Sequence, residues 1–444
     1  MELRPSLRTF ALSVLALTLL NRASALADHP EKTSGNVVTR WHEIAIRLMG
    51  DLSPVIDPRT FPILQTAIHD AVNGIERRYK PYTLDIASPG ASVDAAVATA
   101  AHDVLLTLSP SQREKIEAEY ASALGDVPDG QAKNDGVALG RQCAQANLER
   151  RADDNIRFGT WPPEEGPITE PVYVPTGEPG DYDFTPPFDR PPLGPIALFP
   201  GLGRLKPFGV NLARHRTRGP DRLSGRRYAF DLNYLKSFGS LNSTTRTTDQ
   251  TQTAFFWFEP EAILNQIANT VLRKSHADIW ESARVLALVN FAMTDAGIAC
   301  FRDKYQFRFW RPYTAIRRAD EDGNPLTEPD ENWLPLLWTP PDVIPPTFFI
   351  PPIPEYPSAA ATVSSAAAEV LIRNFGDHET FSATSPFLPG VTRHYKSFRQ
   401  AAKEVAMSRV YGGIHFLHAV RDGHQLGKGI GRDVSELLPR VDHR

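Results

Sequence analysis

Cysteine is nearly missing from this chain: 444 residues contain two, Cys143 and Cys300, with no CxxC pair and no Cys/His cluster beside them. That excludes a zinc ribbon or finger and a disulfide-stapled scaffold, and leaves either one disulfide or two buried thiols. Charge of one sign is missing too. Forty-eight Lys and Arg stand against 52 Asp and Glu, a formal net charge of −4, so no global field draws nucleic acid or anionic lipid, and any positive site must be local. Long hydrophobic runs are absent except for Phe10 to Leu20, which is too short to span a bilayer. Arg4 and Arg8 precede that run, and Ala23-Ser24-Ala25 and Ala25-Leu26-Ala27 follow it. This is the pattern of a secretory signal over residues 1–25, so the expected mature protein starts near Leu26 or Asp28 and is secreted or periplasmic, with no membrane span. Strand-like alternation stands out nowhere, so the expected fold class is all-α.

With 41% hydrophobic and 23% charged residues, the chain is that of a globular protein long enough for one large core or two fused ones. Residues 26–160 read as an N-terminal helical part. Trp41, Ile44, Ala45 and Leu48 share one face, Phe61 to Val72 forms a second apolar helix, and three further helices lie over residues 92–106, from Ser109-Pro110 onward, and over 130–151. Within the second, His69-Asp70 reads as a hydrogen-bonded core pair. Residues 161–226 are interrupted every few positions by proline, which rules out regular structure, and Tyr173, Tyr182, Phe184, Phe188, Leu198 and Phe199 make this a loop that covers the body.

Residues 227–444 return to helical patterning and carry the chemistry. In Asp303 to Arg318, bases and aromatics interleave, and Lys304, Arg308 and Arg311 are spaced for one helical face before Pro312 stops the helix. Bases flanked by Phe307, Phe309 and Trp310 are expected to be partly buried, and buried bases need an anion. A second proline-rich loop, 340–357, runs into Glu355-Tyr-Pro-Ser358-Ala-Ala-Ala-Thr362, where Ser358 occupies an N-cap position and small residues leave the helix N-terminus open to an oxyanion. Last, a helix from Phe398 delivers Ser408-Arg409, Gly412-Gly413 breaks it, and His415 and Asp422 follow at a spacing that would put carboxylate and imidazole on one helical face.

Lys304 with Arg311 and Pro312, then Pro357-Ser358-Ala-Ala, then Ser408-Arg409 with His415, in that order, resemble the vanadium-dependent haloperoxidase and type 2 phosphatidic acid phosphatase superfamily, closest to its secreted bacterial haloperoxidase-like branch. The likeness extends through His69-Asp70-Ala-Val-Asn, Leu205-Lys-Pro-Phe-Gly and Asp295-Ala-Gly-Ile-Ala. The resemblance implies paired helical bundles of the vanadium haloperoxidase type, joined by the long proline-rich loops. It also implies one pocket in which Lys304, Arg311 and Arg409 neutralise the oxygens of vanadate, or of phosphate in its place, and Ser358 and the Ala359 amide donate to the same oxygens. His415 would be the catalytic residue and the axial ligand of vanadium, or the nucleophile toward phosphorus. Substrates implied are small molecules: peroxide and halide, or a phosphate ester. Two departures bear on activity. Ala360 stands where the family places its acid/base histidine, and Ala419 where the phosphatase signature often places an aspartate behind its histidine, a part open to Asp422. His394, His418 and His424 are the nearby candidates to replace the missing imidazole. Three readings follow: a haloperoxidase impaired at residue 360, a phosphomonoesterase working through phospho-His415, and a non-catalytic oxyanion-binding protein.

Overall fold

The computed structural model of the protein describes residues 35–49, 58–154, 173–340, 343 and 346–441. The signal segment and the first part of the covering loop lie outside these. Thirteen α-helices occur among the described residues: α1 Val37–Met49, α2 Thr60–Ile75, α3 Val93–Leu108, α4 Arg113–Gly125, α5 Gln131–Glu149, α6 Arg226–Phe238, α7 Thr248–Phe256, α8 Pro260–Lys274, α9 Ile279–Phe307, α10 Pro312–Arg317, α11 Ala359–Phe375, α12 Phe398–Tyr411 and α13 Leu417–Ser435. The fold is all-α, as expected. One antiparallel hairpin, β1 Phe381–Thr384 with β2 Thr392–Tyr395, is added to it. Each strand has four residues, too few for alternation to show in the sequence.

The molecule is laid around α9. Asp278 caps its first turn through the Glu281 amide at 2.8 Å, and its residues are buried almost all round by α2, α11 and α13. By length and composition α9 qualifies to cross a membrane, against the expectation that no segment after the signal is apolar enough; here that apolarity is buried in a core. Two carboxylates pin loops to this core. Asp70 accepts from the amides of Tyr82, Thr83 and Leu84 and from the Asn147 side chain, so its role is structural, as the sequence suggested. Asp295 of α9 accepts from the amides of Phe208, Gly209 and Val210 and so anchors the Leu205-Lys-Pro-Phe-Gly loop.

α11 and α13 pack with their backbones almost touching. Gly423, Gly427 and Gly431 recur every four residues on α13, and a Cβ at Gly427 would lie 1.9 Å from the Thr362 carbonyl oxygen. The same close approach brings the Ser358 amide within 3.1 Å of the Ala419 carbonyl, which fixes where α11 starts. Cys143 and Cys300 are both buried and unpaired; the Cys300 thiol faces the Pro357 carbonyl at 3.5 Å, and burial raises its pKa to about 11.

Candidate oxyanion site

Lys304 lies in the last full turn of α9, completely buried. The helix stops at Phe307, and Arg308 takes a left-handed conformation at φ 53°. Lys304, Arg308 and Arg311 therefore do not share one helical face. Arg308 turns outward and pairs with Asp181 through two bonds of 2.8 Å, whereas Arg311, the N-cap of α10, turns inward and is completely buried. The covering loop enforces the break: Tyr182 donates its amide to the Arg308 carbonyl at 2.6 Å, and Trp310 donates to Gly180 at 3.0 Å.

A strap of residues 353–358 then threads between the cations. The Lys304 ammonium donates to the carbonyls of Pro354 at 2.7 Å and Glu355 at 2.8 Å. Arg311 donates through Nε to the Ile353 carbonyl at 2.8 Å, and through Nη1 to Ile414 at 2.9 Å. At the end of the strap Ser358 caps α11 without using its hydroxyl, so the buried Oγ has no hydrogen-bond partner. The first amides of α11 lack intrahelical acceptors by necessity, and the helix dipole adds partial positive charge there. Arg409, in the last turn of α12, donates to the Trp257 carbonyl, to Phe258 at 3.1 Å and to Ser408 Oγ at 3.1 Å. His415 stands in the link between α12 and α13, where Gly413 at φ 76° turns the chain.

The His415 tautomer follows from its neighbours. Arg311 Nη1 lies 3.2 Å from Nε2, and a guanidinium can only donate, so Nε2 is the acceptor and Nδ1 carries the proton. Nδ1–H donates to Glu355 Oε1 at 2.9 Å, which also accepts the Phe416 amide at 2.9 Å. Burial, then the charges of Arg311, Lys304 and Arg409, hold the His415 pKa well below its ordinary value, so the imidazole is neutral, with the Nε2 lone pair turned to Arg311. Burial likewise lowers Lys304 to about 7 and both Arg311 and Arg409 to about 10, and raises Glu355.

The partner of His415 is thus Glu355, and not Asp422. His415 is not on α13, so the two-turn spacing to Asp422 never becomes a shared face; Asp422 instead accepts from Tyr356 at 2.9 Å and pairs with Arg218 and Arg421. Sequence reasoning quoted Glu355 but gave it no role. The available signal was a lone acid between prolines and an aromatic, just ahead of a helix start. Of the substitute histidines, His394 is exposed and bonds Ser382, and His424 lies in a surface cleft. His418 is buried between Tyr356 and Phe416 with Nδ1 on Asp231 at 2.8 Å, close enough to act on Glu355 and His415, and its Nε2 has no hydrogen-bond partner among the described residues. Ala360 is buried in the first turn of α11.

Comparison with known proteins fits this layout. The family described as the VCPO second helical-bundle domain matches residues 284–442, which include Lys304, Arg311, Glu355, Ser358, Arg409 and His415. A bacterial vanadium-dependent iodoperoxidase of known structure superposes with a TM-score of 0.74 at 25% identity, over 92% of this chain and 97% of that one. These likenesses support the vanadium-dependent haloperoxidase superfamily for this chain. Vanadium chloroperoxidase of Curvularia inaequalis is 26% identical over 88% of this chain and 80% of its own length. A holo-type bacterial vanadium-dependent chloroperoxidase, at 18% identity and a TM-score of 0.68, shares the fold across 87% of this chain and 92% of that one. The haloperoxidase-like assignment rests on these relatives and spans both halves of the described chain.

Proposed function

We propose that this chain is an exported haloperoxidase-like enzyme that holds vanadate on Lys304, Arg311, Arg409, Ser358, the Ala359 amide and His415, and oxidises a halide with hydrogen peroxide. The observation that carries the reading is a neutral imidazole facing three buried cations, with two buried donors, Arg311 Nη2 and Ser358 Oγ, left without an acceptor. Buried donors without acceptors cost about 1–3 kcal/mol each, and a tetrahedral oxyanion offers the oxygens they lack. The residues fit the group. Arg311 and Arg409 already spend part of their forks on carbonyls, which fixes the planes of the remaining N–H bonds. His415 offers Nε2, with Glu355 keeping the proton on the opposite nitrogen.

Bound vanadate would supply the Lewis-acid centre that activates peroxide toward halide. The chain supplies positive charge, orientation and a dry surrounding, but Ala360 supplies no proton donor. A positioned acid/base contributes ~10²–10⁴ in rate, so turnover is expected to be slow. Export rests on Arg4, Arg8 and the apolar run Phe10 to Leu20.

Two variants test the reading. Arg409→Ala should weaken vanadate binding by ~2–5 kcal/mol, the usual cost of truncating one side of a desolvated charge pair. Ala360→His should raise bromide oxidation by ~10²-fold or more while vanadate affinity changes little. Vanadate binding without bromide oxidation in either the parent or Ala360→His would leave a non-catalytic oxyanion-binding protein, and a parent protein that takes up no vanadate would sink the proposal.

A further inference from the structure

A cleft of about 780 Å³ opens on the surface where the starts of α6 and α13 meet the second half of α12. It is separate from the oxyanion site, none of whose residues lines it. Its floor is apolar: Phe230, 63% exposed, with Met407, Leu417 and Val420. Tyr234 stacks on Phe230 at 6.2 Å, so the ring is held in place although it faces solvent. An exposed phenyl over an apolar floor favours a ligand with a flat apolar body.

The charge around that floor is one-sided. Arg226, Arg227 and Lys403 line the cleft, are exposed, and have no ion-pair partner among the described residues. The acids of the cleft are engaged elsewhere. Asp231 accepts both the amide and Nδ1 of His418 at 2.8 Å, and Asp221 pairs with Arg218 at 3.4 Å. Arg421 is matched by Asp422 at 2.9 Å. Three unmatched cations beside an apolar floor of ligand-sized volume are complementary to a partner that brings its own negative charge.

We propose that this cleft binds an amphipathic organic anion, a planar aromatic carboxylate or a compound of that class. The aromatic body lies on Phe230, Met407 and Val420, and the carboxylate faces Arg227 and Lys403. The inference does not depend on vanadate chemistry. The probe is 2-naphthoate, titrated into the full chain at neutral pH, with 2-naphthylmethanol and 2-naphthylmethylamine as neutral and cationic counterparts of similar shape. Expected are saturable one-to-one binding of 2-naphthoate, at least tenfold weaker binding of the alcohol, and none of the amine. Arg227→Gln with Lys403→Gln should lose at least tenfold in affinity, and Met407→Asp should abolish binding, with circular dichroism melting to show that the variants fold. Affinity should be the same in Arg409→Ala and in the presence of saturating vanadate. Non-saturable uptake, equal affinity for the alcohol, or indifference to the cleft variants would overturn the proposal. Displacement by vanadate would place the anion in the oxyanion site instead, and would also overturn it.

Discussion

Lys304 shows how a single buried group sets a pH dependence. Its nitrogen has two carbonyl acceptors, on Pro354 and Glu355, and a neutral amine has two N–H bonds to meet them. Burial brings its pKa to about 7 from 10.5, so above pH 7 the ligand-free amine lacks its third hydrogen, which returns when an anion is there to receive it. In the ligand-free fold a depressed pKa contributes stability that is full above the unfolded value and is lost as pH falls through about 7. Anion binding has the opposite dependence, because above pH 7 it must take up a proton. Sulfate, which does not titrate in this range, should bind with constant affinity below about pH 7 and then up to tenfold more weakly for each pH unit above it. Lys304→Met should flatten the curve, and a flat curve in the parent would show that Lys304 is not in contact with the anion. Lys304, Arg311, Ser358, Arg409 and His415 are picked out by the family resemblance that their order in the sequence carries, whereas spacing alone sets Arg308 on one face with Lys304 and Arg311, which the turn at Arg308 undoes. Glu355 is not picked out. Its contact with His415 exists only once a proline-rich strap has been folded between two helices, and local spacing favoured Asp422, seven residues along.

Each site residue is delivered by a helix that ends or begins. Lys304 sits at the end of α9, Arg311 at the start of α10, Ser358 at the start of α11, Arg409 at the end of α12, and His415 just before α13. The first amides of a helix lack intrahelical acceptors, so α11 leaves amides open beside Ser358, while the carbonyls that hold Lys304 and Arg311 come from the 353–355 strap and the link at Ile414. The helices were legible from periodicity and Gly or Pro punctuation. The left-handed turn at Arg308 was not, since non-glycine residues rarely adopt it and the clamp from Gly180 to Tyr182 comes from over a hundred residues away. The closeness of α11 and α13 makes the start of α11 sensitive to a remote change. In Gly427→Ala the new methyl meets the Thr362 carbonyl oxygen, backbone that cannot rotate aside. Stability should fall by ~1–3 kcal/mol or more, read by urea unfolding, and vanadate affinity should fall as Ser358 is pushed from its place. An unfolding midpoint equal to the parent's would mean that the helices can separate at no cost, contrary to the packing described.

The fold as a body carries its site as a burden. Lys304 and Arg311 are fully buried, and the carboxylate acting on both is Glu355, whose own ionisation burial opposes; Arg409 donates to two carbonyls and a serine, with the carboxylates of Glu261 and Glu259 near enough to favour its charge. Buried charges short of counter-ions cost several kcal/mol each even after relaxation. Replacing one by an apolar side chain of similar length should therefore stabilise the ligand-free molecule while removing its response to ligand. At pH 6, where Lys304 is charged in the fold, Lys304→Met should melt higher than the parent, by an amount corresponding to ~1–4 kcal/mol. At pH 9, where the parent's lysine is neutral, the gap should narrow. Sulfate at about 100 times its Kd should restore the parent by ~2.7 kcal/mol and leave the variant nearly unmoved. Calorimetric melts of both proteins, with and without sulfate at the two pH values, decide the matter. If Lys304→Met melts lower than the parent at pH 6, the ammonium is already compensated within the fold, and the site has no need of an anion.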